Sequence, residues 1–183
     1  MKRLFPVDSM EDIPPGIRET PVGELLQYQN LGRDLQPCAS ARLLVGMCMD
    51  HRKHLRMPEQ FAYIIRSGGG NLRYSEFKVS YAIAIGGVRH IALIGHNNCG
   101  MSNLMSRRQA FIDGLVEHAG WDREFATAHF TQFAPMFEIG NEIDFLLVES
   151  QRLRQRYPKI AVTPLFYDVE TNRLWGVREN ARA

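Results

Sequence analysis

Cysteine is scarce in this chain, with three among 183 residues. That is too few for a disulfide framework, so each thiol must serve as packing, reactive group or metal ligand. Long apolar runs are also missing. Leu43 to Met49 and Tyr81 to Val88 stop far short of the roughly 18 to 20 residues that cross a bilayer, which excludes a membrane helix. Nor does one sign of charge dominate: Lys and Arg total 22 against 20 Asp and Glu, a net charge of +2, without the basic surplus of a nucleic-acid-binding protein. Acids and prolines follow Met1-Lys2-Arg3 where a signal peptide would need an apolar stretch of about 7 to 15 residues. The reading is a cytoplasmic protein that binds neither nucleic acid nor membrane. Gly68-Gly69-Gly70 is not followed by Gly-Lys-Ser/Thr, and Gly-x-Gly-x-x-Gly does not occur, so the usual phosphate-cradling loops are absent.

What remains is the composition of one globular domain, 45% hydrophobic and 23% charged. Pro6, Pro14, Pro15 and Pro21 prevent residues 1 to 23 from forming one continuous helix. We expect an extended N-terminal arm there, lying on a partner subunit, followed by a single domain over 24–183. The near-continuous apolar runs Arg42 to Met49, Phe61 to Ile65 and His90 to Gly95 suit parallel strands buried on both faces. Glu24 to about Leu35, Ser75 to Ile85, Met105 to His118, Asp122 to Phe133 and Glu138 to Tyr157 read as helices. The last carries Glu149, Arg152, Arg154 and Arg156, read as a solvated face. Ile160 to Val177 reads as a β-hairpin turning at Glu170-Thr171-Asn172. The fold class is therefore α/β: a three-layer domain with a central, mostly parallel sheet of about four parallel strands plus a C-terminal hairpin strand, flanked by helices.

Chemistry-bearing residues gather where two of these strands end. One ends in Cys48-Met49-Asp50-His51-Arg52 and another in His96-Asn97-Asn98-Cys99-Gly100. In an open parallel sheet, functional groups collect at the carboxyl ends of strands. If these strands are neighbours, two thiolates and one imidazole meet there, the donor set that Zn²⁺ prefers, with a fourth position left for water. Two thiolates weaken zinc as a Lewis acid, so lowering the pKa of bound water needs help from surrounding groups. Asp50, two residues beyond Cys48 in an extended segment, lies on the same side and can orient zinc-bound hydroxide. Arg52 can hold that carboxylate in a bidentate pair, off the metal. Without that restraint Asp50 could close the site as a fourth ligand and leave an inert zinc centre. The three glycines let backbone pass close beside the metal pocket. Cys38 reads as a small packing residue, and His51, His54 and His118 read as surface histidines.

CMDHR, RSGGGN, SYA and GHNNCGM, in this order and spacing, together with the terminal FYDVETNRLWGV, resemble the shorter β-class carbonic anhydrases. The resemblance runs from about Glu24 to the final hairpin. It implies zinc ligands Cys48, His96 and Cys99, a catalytic Asp50–Arg52 dyad, and a substrate pocket lined by Tyr63, Tyr81 and Gly100, partly across a dimer interface. The implied activity is reversible hydration of CO₂ to bicarbonate by zinc-bound hydroxide, in a homodimer or dimer of dimers. Hydrolysis of COS or CS₂ on the same site and a non-catalytic, zinc-stabilised homo-oligomer are the alternatives.

Overall fold

A computed structural model describes residues 3–179. Its strands are β1 (Leu4–Phe5), β2 (Leu43–Met47), β3 (Ala62–Arg66), β4 (His90–His96), β5 (Ala161–Asp168) and β6 (Arg173–Val177). Its α-helices are α1 (Pro15–Arg18), α2 (Pro21–Asn30), α3 (Glu76–Ala84), α4 (Arg108–Ala119), α5 (Arg123–Phe137) and α6 (Glu142–Arg156). The strands form one sheet in the order β1-β6-β5-β4-β2-β3. β2 through β5 pair in parallel, while β6 returns antiparallel along β5 and β1 antiparallel along β6. This is the expected mostly parallel α/β architecture, with one further short strand at its edge.

Alternation along the central strands builds the layers, because successive side chains point to opposite faces. Leu43, Val45 and Met47 of β2 join Ala92 and Ile94 of β4 in a core with Val22, Leu25 and Leu26 of α2. Leu44, Ile91 and Leu93 join Val79 and Ala82 of α3 and Leu146 and Leu153 of α6 in a second core. α4 and α5 pack on each other through Ile112, Ala126, Phe130 and Ala134. The hairpin turns where expected, with Asn172 left-handed at φ 58°, a conformation Asn tolerates better than most residues. β3 lies at one border of the sheet, with Tyr63 and Ile64 exposed.

Two expectations need correction. The described residues 3–23 do not stand off as an arm: β1 pairs with β6, Val7 and Ile13 are buried in the chain's own core, and α2 already begins at Pro21. The prolines do break the segment, but its apolar residues find cover on the same chain. At Gly176 a Cβ would come within 2.0 Å of the Phe5 ring, so glycine is what lets β1 dock. The charged face of α6 is not wholly solvated either. Glu149 is completely buried; it accepts from the Leu72 N–H (3.2 Å), from Arg152 Nε and Nη2 (2.8 Å each) and from Arg73 Nε (3.4 Å).

Candidate metal centre

β2 and β4 are hydrogen-bonded neighbours, with Met47 opposite Ile94. Their carboxyl ends therefore deliver Cys48, one residue past β2, and His96, the last residue of β4, to the same corner. Asn98 then turns left-handed (φ 52°) and brings Cys99 back towards the strand it has just left. The three side chains are buried, and one ligand atom from each lies within 4.8 Å of the others. The Cys48 and Cys99 sulfurs are 3.9 Å apart.

The donors are prepared in ways the backbone dictates. His96 Nδ1 donates to the Asn97 carbonyl at 2.9 Å, which leaves Nε2 with its lone pair free. That Nε2 is buried and has no hydrogen-bond partner, a costly condition unless something else occupies its lone pair. The Cys99 thiol donating to Cys48 Sγ pulls the Cys48 pKa down, and the same shared proton drives that of Cys99 up. The Gly69 N–H also donates to Cys48 Sγ at 3.3 Å. Gly69 has φ +62°, and a Cβ there would meet Ile139 at 2.6 Å, so the triple glycine does bring backbone against the site. Two soft sulfurs and an available imidazole nitrogen form a donor set suited to a thiophilic divalent cation, with zinc the best match. Cys48, His96 and Cys99 can hold such a metal.

Asp50 and Arg52 stand beside this group as a locked pair. Arg52 Nε donates to Oδ1 at 2.9 Å and Nη2 to Oδ2 at 2.6 Å, with the Arg52 backbone N–H adding a third bond to Oδ1 at 2.9 Å. Those hydrogen bonds from the Arg52 side chain, outweighing partial burial, hold the Asp50 carboxyl well below the ordinary carboxylate range. Arg52 is itself steadied by the Asn98 carbonyl (3.0 Å), so the dyad is tied to the turn that carries Cys99.

Other residues singled out from the sequence are placed differently. Gly100 follows Cys99 in the turn, half-buried. Tyr63 on β3 and Tyr81 on α3 are 37% and 51% exposed; Ile64, next to Tyr63 in β3, is exposed as well, and Phe77 and Ile85, four residues to either side of Tyr81, are also exposed. His51, His54 and His118 are exposed, and Cys38 lies apart from the other thiols. The sequence reading overlooked Lys53, whose side chain is buried with no hydrogen bond to Nζ. Burial lowers its pKa, against the opposing attraction of Cys48, Asp50 and Cys99. Coming straight after Arg52, it looks in the sequence like one more surface charge. Asn97 was also overlooked: it receives the Val169 N–H (2.9 Å) and donates to Asp168 (3.3 Å), pinning the hairpin to the metal loop.

Solved structures share the fold that brings these residues together. A carbonic anhydrase from Glaciozyma antarctica aligns over 90% of this chain and 95% of its own, with TM-score 0.58 and 23% identity. The fold is that of the β-carbonic anhydrases. Isoform I of the β-carbonic anhydrases of Trichomonas vaginalis gives TM-score 0.61 at 16% identity, over 79% of this chain and 87% of that one. The apo form of a carbon disulfide hydrolase gives TM-score 0.56 at 22% identity, over 79% and 82%. No protein-family model and no curated protein matches the sequence. Among the described residues, no helix is long and apolar enough to cross a membrane.

Proposed function

We propose that this chain is a β-carbonic anhydrase that holds zinc through Cys48, His96 and Cys99 and hydrates CO₂ reversibly to bicarbonate. The observation that carries the reading is the buried, unpartnered His96 Nε2 facing two cysteine sulfurs, next to a carboxylate restrained by arginine. Bound there, zinc would supply the Lewis acid that activates water at neutral pH. The chain's residues do the rest. Cys48 and Cys99 would each lose the thiol proton and bind as thiolates, neutralising the cation, and the Gly69 N–H steadies the Cys48 sulfur. Asp50 remains ionised and offers an acceptor that aims the attacking water. Arg52 engages both of its oxygens and so opposes its collapse onto the metal. That restraint favours the enzyme over a closed, purely structural zinc site.

The same arrangement could act on COS or CS₂, and a carbon disulfide hydrolase shares the fold. We further propose a homodimer, or a dimer of dimers, that covers the β3–α3 face, where Tyr63 and Tyr81 would contribute to the partner's substrate pocket. Stopped-flow CO₂ hydration by the zinc-loaded protein, run beside COS and CS₂ assays, tests the reading. Full zinc occupancy with no turnover of any of the three between pH 6 and pH 9, a range set about the pKa of roughly 7 of zinc-bound water, would end it.

A further inference from the structure

A pocket of about 270 Å³ opens between the metal corner and the α4–α5 pair. Met49, Gly68 and Met101 form its metal side, and Phe111, Phe130, Phe133 and Phe137 its far side. Met49 sits between the ligand Cys48 and Asp50, and Met101 packs directly on the cluster of Cys48, Cys99 and Ile139. No charged residue lines the pocket. Its single polar side chain, His129, has its ring against those of Phe111 and Phe133. Gly68 keeps the space between the two sides open, since a Cβ there would meet Met101 Sδ at 3.1 Å and Phe137 at 3.3 Å.

A charged or strongly polar ligand would lose its hydration in this pocket and find almost no partner. Enclosed apolar cavities of about 150 Å³ accept benzene or xenon; this pocket is larger and open to solvent on one side, where Met49 and Phe111 are exposed. Thioethers and phenyl rings add polarisable contacts that favour compact, uncharged, polarisable molecules. We infer that the α4–α5 pocket is an antechamber that binds small uncharged molecules and passes them to the metal corner past Met49 and Met101. The inference rests on the metal-site reading above for what happens at that corner, but the binding itself does not require it.

Xenon is the probe for binding. Crystals of the zinc-loaded protein under xenon pressure should show the atom among the four phenylalanines, and Ala134→Phe, which fills the pocket from α5 without touching a ligand, should expel it. In stopped-flow hydration that variant should keep its zinc and its kcat while KM for CO₂ rises about tenfold, the pattern for lost substrate binding. Leu104→Phe narrows the same space and replaces Ala134→Phe if the latter does not fold. No xenon in the wild-type pocket overturns the inference, and so does a filled pocket with unchanged KM. If the zinc-loaded wild type turns over none of CO₂, COS or CS₂, the proposed function fails separately. Xenon then decides the pocket alone: seated supports it as a binding site, and absent overturns it.

Discussion

Two buried polar clusters lie on this fold, and they are built on opposite plans. Around Glu149 every demand is met from within the chain: the carboxylate sits between Arg152, Arg73 and the Leu72 N–H. At the corner that can hold a metal the demands are left open, with an orphaned imidazole nitrogen facing two sulfurs 3.9 Å apart. Burying polar groups is tolerable when they are paired and costly when they are not. A completed cluster thus belongs to the architecture, whereas an open one implies a component from outside. The contrast can be broken or sharpened by removing one member of each.

The largest effect should come from the open cluster. Cys99→Ala should take bound zinc from one per chain to nearly none by elemental analysis, while the sheet keeps its circular dichroism signal. Full occupancy in that variant would remove Cys99 from the ligand set. In the closed cluster, Glu149→Ala leaves the Leu72 N–H without its acceptor and Arg152 with only Glu76, and should cost about 3 kcal/mol in urea unfolding, the lower end for breaking a buried pair because both arginines reach solvent. Zinc content should not change. Loss of zinc with little loss of stability would mean the two clusters had been assigned the wrong way round.

Between the two lies the dyad. Asp50→Ala should retain metal and lose roughly 10² to 10³ in turnover, the scale seen when one preorganised partner is removed from a transition-state site. Arg52→Ala should likewise keep its metal and lose activity, because the freed carboxylate can take the open coordination position. The smallest effect is the pH dependence of metal-free stability. The Asp50 pKa is lowered on folding by Arg52, so the dyad's contribution is full above the unfolded value of about 3.9 and fades as pH falls through the folded one. The stability difference between wild type and Asp50→Asn should therefore be constant from pH 7 to about 5 and shrink below about 4. A difference that grows on acidification would contradict the pairing.

The open cluster was far more legible in the sequence than the closed one. Cys48 and His96 each end an apolar run and Cys99 follows His96 by three residues; the parallel sheet makes such ends converge, so local pattern and topology pointed to one corner. Asp50 and Arg52 are two residues apart, and their pairing needs no long-range knowledge. Glu149 was hidden because a charge on an arginine-rich helix looks solvated until Leu72 and Arg73, more than seventy residues away in sequence, close over it. The N-terminal segment misled for a similar reason. A strand of two residues has no period to detect, and the burial of Val7 and Ile13 depends on where β6 and α2 come to rest. The apolar antechamber arises from the packing of α4 and α5 against a metal loop, which no single segment encodes.

β3 leaves one border of the sheet without a neighbouring strand among the described residues, and its exposed Tyr63 and Ile64 put apolar surface on either face of that border. Open edges of this kind invite continuation by another chain. In the assembly proposed above, mass action would then govern how much of the protein is in its working form. Serial dilution would lower the rate per mole of chain, and a preincubation time would appear in the assay as subunits separate. Comparing preparations would require matched chain concentrations as much as matched zinc contents.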